Sequence, residues 1–331
     1  NKCGDYMKNK KIFVIFTGGT ISMEQDELTK KTILIDNQKN LVDDISSTLA
    51  HITLESYYFA MKPSPSMQPK DMHDLAILVD SKLSDDAYDG IVITHGTDTL
   101  EETAYFLDLF LDTKKPVVIT GSMRNYSALG YDGLSNLVSS ILVASDDRSN
   151  DRGVLVVLND EINAASEVTK SHTLSLDTFK SLEFGPIGSI DEQTVVYYRQ
   201  TQQLKRQMKP KELIDDVEIV KAYAGSSSLL LNLLISNHVK GVVIEALGRG
   251  NVPPQMVEGI QRAIALKIPI VLTSRCPIGR VLDSYGYEGG GDHLKSLGVI
   301  FTKNINSQKA RIQLILALSL KPSFDDIKNY F

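Results

Sequence analysis

Short runs rich in Val, Ile and Phe alternate along this 331-residue chain with segments whose apolar positions recur at helical spacing, the pattern of a mostly parallel sheet covered by helices. Strands are predicted at KIFVIFTGG (11–19), ITLESYYFA (52–60), GIVITHG (90–96), PVVITGS (116–122) and GVLVVLND (153–160). Helices are predicted at LVDDISSTLA (41–50), KDMHDLAILVDSKL (70–83), TLEETAYFLDLFL (99–111) and GLSNLVSSILVASD (133–146). The polar stretch QTQQLKRQMKPKELIDD (200–216) then breaks the pattern and reads as a linker. Alternation resumes with strands at VEIVKAY (217–223), GVVIEAL (241–247) and PIVLTSR (269–275), separated by helices near 227–238 and 255–267. The expected fold class is therefore α/β with two domains, each a mostly parallel sheet flanked by helices. The division is a 1–10 extension, a larger catalytic domain over 11–200, a linker over 201–215 and a smaller domain over 216–331.

Within this frame residues 95 to 99, His-Gly-Thr-Asp-Thr, interrupt the passage from a buried strand into a helix. Thr99 with Glu102 fits the capping box Thr-x-x-Glu, and Leu100, Ala104, Leu107 and Leu111 share one helical face. Thr97 and Asp98 are left unexplained. A helix N-terminus favours a carboxylate electrostatically, and this alternative for Asp98 stays open beside a functional one. Two further apolar runs end in the same manner, in Gly18-Gly19-Thr20 and in Gly121-Ser122-Met123. In an open parallel sheet such strand ends lie along one edge, where ligands bind. Glycines there admit a close backbone approach and present N–H groups. The spacing matches neither a dinucleotide fingerprint nor a phosphate loop, so the expected ligand is a small molecule met by hydroxyls and a carboxylate.

Composition narrows the partners. The 35 basic and 41 acidic residues give a formal charge of −6, so no chain-wide positive field exists to hold a phosphate backbone, and nucleic acid is not expected as a partner. No apolar run approaches the roughly 20 residues that span a bilayer, so no membrane partner is expected. Cys3 and Cys276 form neither a disulfide framework nor a metal-ligand spacing. Together with a start, NKCGDYMKNKK, that lacks an apolar segment, this favours a cytoplasmic chain. A first residue of Asn rather than Met leaves a periplasmic or secreted form open.

A threonine hydroxyl needs a base to act as a nucleophile. Among the six histidines His95 is the candidate, with orientation of its own turn as the alternative. Lys170, in the polar segment NDEINAASEVTKSHTLSLDTF, is the other, with a solvated surface charge as its alternative.

TGGTISM (17–23) together with HGTDTLEETAYFLD (95–108) resembles the two signature motifs of the bacterial-type L-asparaginase family. The resemblance extends through KPVVITGSMR, DGLSNL, RGVLVVLND, VTKSHT, GRGN and NSQKARIQLILAL. It implies hydrolysis of L-asparagine to L-aspartate and ammonia, with some glutaminase activity, and no metal or organic cofactor. Thr20 matches the family's nucleophile, and Thr97, Asp98 and Lys170 match its second threonine, substrate-binding aspartate and lysine. Ser64 matches a serine that grips the substrate α-carboxylate, and Gly19, Gly96 and Ser122 complete the expected pocket. Asn251 matches a residue lent by a neighbouring subunit, and Glu288 the family's cross-subunit glutamate. The resemblance therefore implies a homo-oligomer, a tetramer built as a dimer of dimers.

The chain also departs from the pattern. No tyrosine stands between Ile21 and Ser56, where many members carry one in the loop after the first threonine, and Pro65 replaces a glutamine found in some. Two other functions are open to the same fold: a non-catalytic amino-acid-binding or regulatory protein, and an ammonia-supplying subunit acting on a tRNA-bound substrate.

Overall fold

The computed structural model describes residues 9–19, 21, 23–25, 32–34, 42, 45, 49, 51–201 and 207–331. They fall into two compact units, divided between Leu204 and Lys205. In the first, strands β1 (Lys10–Gly18), β4 (Ile52–Lys62), β5 (Gly90–Thr94), β6 (Val117–Thr120), β7 (Val154–Leu158), β8 (Glu161–Ala164), β11 (Gly188–Asp191) and β12 (Thr194–Tyr197) form one sheet. Its order is β12-β11-β8-β7-β6-β5-β1-β4. The five strands from β4 to β7 pair in parallel, whereas β7, β8, β11 and β12 pair antiparallel. Two small ribbons pair β2 (Met23–Gln25) with β3 (Thr32–Leu34) and β9 (Thr169–Lys170) with β10 (Phe179–Lys180).

Strands β1, β5, β6 and β7 form where continuous apolar runs are buried on both faces, as crossover helices require, whereas β4 at the sheet edge is largely exposed. Residues of β5 and β6 are all buried. Helices α1 (Pro69–Leu83), α2 (Leu100–Phe110) and α3 (Gly133–Ser145) are the crossovers. Helix α2 buries Leu100, Ala104, Leu107 and the following Leu111, the face expected from the sequence. Phe106 and Phe110 stack at 6.2 Å and meet the His73 ring of α1 edge-on, and burial of each such ring is worth about 1.5–3 kcal/mol. On the other face α3 packs Leu137 and Ile141 against Val14, Phe16, Val92 and Val118. Of the helix expected over 41–50, Val42, Ile45 and Leu49 lie among the described residues, and all three belong to this core.

The second unit is a four-stranded parallel sheet, β13 (Val217–Lys221), β14 (Gly241–Ala246), β15 (Ile270–Ser274) and β16 (Ile300–Phe301), in sequence order. Helices α4 (Leu229–Ser236), α5 (Val257–Ala265) and α6 (Gly291–Ser296) contribute to the core on one face and α7 (Ser307–Ser319) to that on the other. The short antiparallel strands that close the first sheet were not among those expected, because β8, β11 and β12 are four residues each and carry too little alternation to register.

One element of the expected helix start is not found. Thr99 is the N-cap of α2 but makes no side-chain cap bond. Its hydroxyl donates instead to the Ser64 carbonyl at 2.9 Å, an acceptor from a different strand-end loop that no local pattern reveals.

His95 follows β5 and is fully enclosed. Its Nδ1 donates to the Gly96 carbonyl at 2.8 Å and its Nε2 accepts from Thr103 Oγ1 at 2.9 Å, which fixes a neutral tautomer that braces the turn. Burial lowers its pKa from 6.5 to about 4, outweighing the Gly96 bond that favours the charged ring. The unfolded chain thus takes up a proton near pH 6.5 that the folded chain refuses until about pH 4. The stabilising contribution is complete above pH 6.5 and is lost as pH falls toward 4, at about 1.4 kcal/mol per pH unit. Urea titrations of wild type and His95→Gln at pH 7, 6 and 5 should show wild type losing stability faster on acidification; parallel losses would refute the assignment.

Candidate active site

The site is built on the edge where β1 ends in Gly18 and the loops after β5 and β6 carry Gly96 and Gly121. Gly18 and Gly19 have positive φ, 99° and 86°, a region costly for residues with a Cβ. A Cβ on Gly19 would lie 2.4 Å from the Gly96 backbone nitrogen, one on Gly96 2.7 Å from Ser64 Oγ, and one on Gly121 2.4 Å from the His95 carbonyl. No side chain fits at these three points, so loops 18–19, 95–99 and 121–124 lie in backbone contact and Gly96 lies against the Ser64 side chain.

Ser64 opens a single 3-10 turn, Ser64–Ser66, and is buried. Its Oγ accepts from the Asp98 backbone N–H at 3.2 Å while its carbonyl receives Thr99 Oγ1. Thr97 is buried beside it, and Asp98 keeps 59% of its side chain exposed. Lys170 arrives from β9, 73 residues from Thr97 in sequence. Its Nζ donates to Thr97 Oγ1 at 2.9 Å and to Asp98 Oδ1 at 2.7 Å. With 16% of its side chain exposed, it is not the solvated surface charge that its loop composition allowed. A charge-assisted pair of this kind persists because the buried ammonium keeps both an anion and a hydroxyl acceptor.

The structure therefore brings together Gly19, Ser64, Gly96, Thr97, Asp98 and Lys170. Thr20 lies outside the described residues, as does Cys3. Ser122 is buried next to Gly121, but its hydroxyl donates to the Arg124 carbonyl at 2.8 Å and so serves its own turn. In the second unit the segments that carry Asn251 and Glu288 are joined: Val252 N–H donates to the Gly289 carbonyl at 2.8 Å, and Asn251 Oδ1 accepts from Gly291 N–H at 3.2 Å. Cys276 is exposed and a free thiol. Among the described residues no group of three or more His, Cys, Asp or Glu side chains is arranged to hold a metal ion.

Three contributors escaped sequence reasoning. Asp132 accepts from the Met123 and Arg124 backbone N–H groups at 3.0 and 2.9 Å and from Asn136 Nδ2 at 3.0 Å, which shapes the loop after β6. Tyr131, whose phenol is held protonated by burial, donates to the carbonyl of Ile21 at 2.9 Å. Glu101, in the first turn of α2, accepts from Thr169 Oγ1 and the Lys170 backbone N–H at 2.8 and 2.7 Å. For Glu101 a signal existed: it falls at helical spacing from Ala104 and Tyr105, both buried.

Comparison with known proteins gives the same picture. The family model described as asparaginase, N-terminal, matches residues 11–203, and that of the glutaminase/asparaginase C-terminal domain matches residues 216–331. The chain is 34% identical over 320 residues to an L-asparaginase of Bacillus licheniformis, covering 96% of this chain and 98% of that one. It is 32% identical over 333 residues to L-asparaginase 2 of Escherichia coli strain K12, with 97% and 92% covered. The crystal structure of a probable cytoplasmic L-asparaginase from Campylobacter jejuni superposes with a TM-score of 0.85 at 30% identity, over 97% of this chain and 98% of that one. Because two successive family models account for nearly its whole length and full-length relatives share about a third of its residues, this chain belongs to the asparaginase/glutaminase family.

Proposed function

We propose that this protein hydrolyses the side-chain amide of L-asparagine to L-aspartate and ammonia, with Thr20 as the nucleophile. The observation that carries the proposal is the contact of Lys170 Nζ with both Thr97 Oγ1 and Asp98 Oδ1. It joins a proton-exchanging amine, a hydroxyl and a carboxylate at the sheet edge where ligands bind. On this reading the Thr20 oxygen attacks the amide carbon and the amide nitrogen leaves as ammonia. The resulting ester is then cleaved by water to release aspartate and restore the hydroxyl. Thr97 and Lys170 move the proton along a hydrogen bond already in place, Asp98 holds the substrate ammonium, and Ser64 faces its carboxylate. Backbone N–H groups near Gly19 and Thr97 supply the donors that a developing oxyanion needs. Glutamine, one methylene longer, is the secondary substrate.

We further propose a cytoplasmic homotetramer, a dimer of dimers, in which Asn251 and Glu288 complete the pocket of a partner subunit. The exposed leucines of α4, Leu229, Leu230 and Leu233, support an assembly that covers them.

Purified protein is expected to release equimolar ammonia and aspartate from asparagine without added metal or nucleotide. Activity lost on dialysis against chelator and restored by a divalent ion would contradict this.

Thr20→Ala and Thr97→Ala should each lower kcat on the order of 10³-fold, as removal of one member of a catalytic unit does. Lys170→Met should abolish turnover while calorimetry still detects asparagine binding, because only the titrating group is lost. Near wild-type turnover in Thr20→Ala would eliminate the nucleophile assignment.

Chains carrying Asn251→Ala and chains carrying Thr20→Ala, mixed under conditions of subunit exchange, should recover part of the activity that each lacks. The recovered pockets would combine an intact Thr20 with an intact Asn251 from the other chain. Full activity in a proven monomer would rule out the shared site.

A further inference from the structure

Glu101 is a carboxylate only 4% exposed, and a buried carboxylate is retained where donors meet it. One of its oxygens, Oε2, accepts two hydrogen bonds from adjacent residues of β9, from Thr169 Oγ1 at 2.8 Å and from the Lys170 backbone N–H at 2.7 Å. Strand β9 is two residues long, and its ladder partner β10 is equally short. Such a ribbon has little capacity to fix its own position. The Lys170 side chain leaves this ribbon and reaches the residues just before α2, Thr97 and Asp98.

Lys170 is thus held at both ends by a single five-residue segment. Its ammonium meets Thr97 and Asp98, and its backbone meets Glu101 one helical turn further on. The second contact converts a flexible lysine into one with a fixed origin. Glu101 stands in the first turn of α2, beside the residues that Lys170 Nζ reaches.

We propose that Glu101 is a positioning residue for Lys170: by anchoring the Lys170 backbone to the helix that follows Thr97 and Asp98, it keeps the Lys170 ammonium within bonding distance of both. This rests on the reading of Lys170 as the working partner of Thr97. A misplacement of about 1 Å in a catalytic group costs on the order of 10²-fold in rate, and Glu101 is the described side chain that ties the Lys170 backbone to that helix.

Four variants test the proposal, each with kcat, KM and melting temperature measured. Glu101→Gln keeps a side-chain oxygen at the same reach and should retain kcat within about fivefold. Glu101→Leu has similar bulk without an acceptor and should lower kcat on the order of 10²-fold, with KM for asparagine within about threefold. Glu101→Asp keeps the charge but withdraws it by one methylene. It should lower kcat with KM held, and it decides the matter if the leucine variant does not fold. Wild-type kcat in both Glu101→Leu and Glu101→Asp overturns the proposal, as does a glutamine variant as impaired as the leucine one at equal melting temperature. Lys170→Met, measured alongside, separates the two levels. Wild-type turnover there removes the role of Lys170 itself, whereas an inactive Lys170→Met beside a fully active Glu101→Leu removes only the positioning role.

Discussion

Everything at the sheet edge depends on backbone meeting backbone where no Cβ can intervene. The positions of Gly19, Gly96 and Gly121 allow three strand-end loops and the Ser64 turn to pack to contact that a Cβ at any of them would force apart. Protein interiors tolerate such separation poorly, because packed surfaces do not deform continuously. The hydrogen bonds from Asp98 N–H to Ser64 Oγ and from Thr99 Oγ1 to the Ser64 carbonyl are consequences of that contact. They draw one short loop onto another and leave Thr97 and Asp98 with defined directions.

His95, whose backbone takes part in these contacts, is itself neutral and enclosed. A fully buried ring loses more by desolvation than one carbonyl bond returns. It serves as a two-point brace between the turn at Gly96 and the helix at Thr103, and it is unsuited to act as the base at the surface of the site. In the proposed reaction that task is assigned to Lys170, whose Nζ reaches the hydroxyl and carboxylate of Thr97 and Asp98.

How much of this the sequence displays depends on the range of the interaction. Strands β1, β5 and β6 are legible because burial on both faces demands unbroken apolar runs, and the apolar face of α2 because helical periodicity is local. The oddity of Thr97 and Asp98 is legible for the same reason, as polar residues where a turn needed none. Lys170 is not, since a two-residue ribbon leaves no periodicity and its partners lie more than seventy residues away. The resemblance to known motifs, and not spacing, singled it out. Thr99 shows the opposite failure: its pattern is complete locally, yet the Ser64 carbonyl captures its hydroxyl. Glu101, passed over in favour of Glu102, is a case in which the residue without a local motif holds the distant strand.

A gradient of burial across two adjacent residues gives the proposed reaction its direction. Thr97 is buried while Asp98 keeps 59% of its side chain exposed, and Lys170 bridges the two. Charge is cheapest to bind where water still screens and solvates it, and bond-making gains most where water is excluded. On the proposed reading a zwitterionic amino acid can therefore leave its ammonium at the mouth, near Asp98, and send its side chain inward. In asparagine only one methylene separates the charged α-carbon from the amide carbon, so in the proposed reaction the amide is carried toward Thr97, whose hydroxyl accepts from Lys170 Nζ.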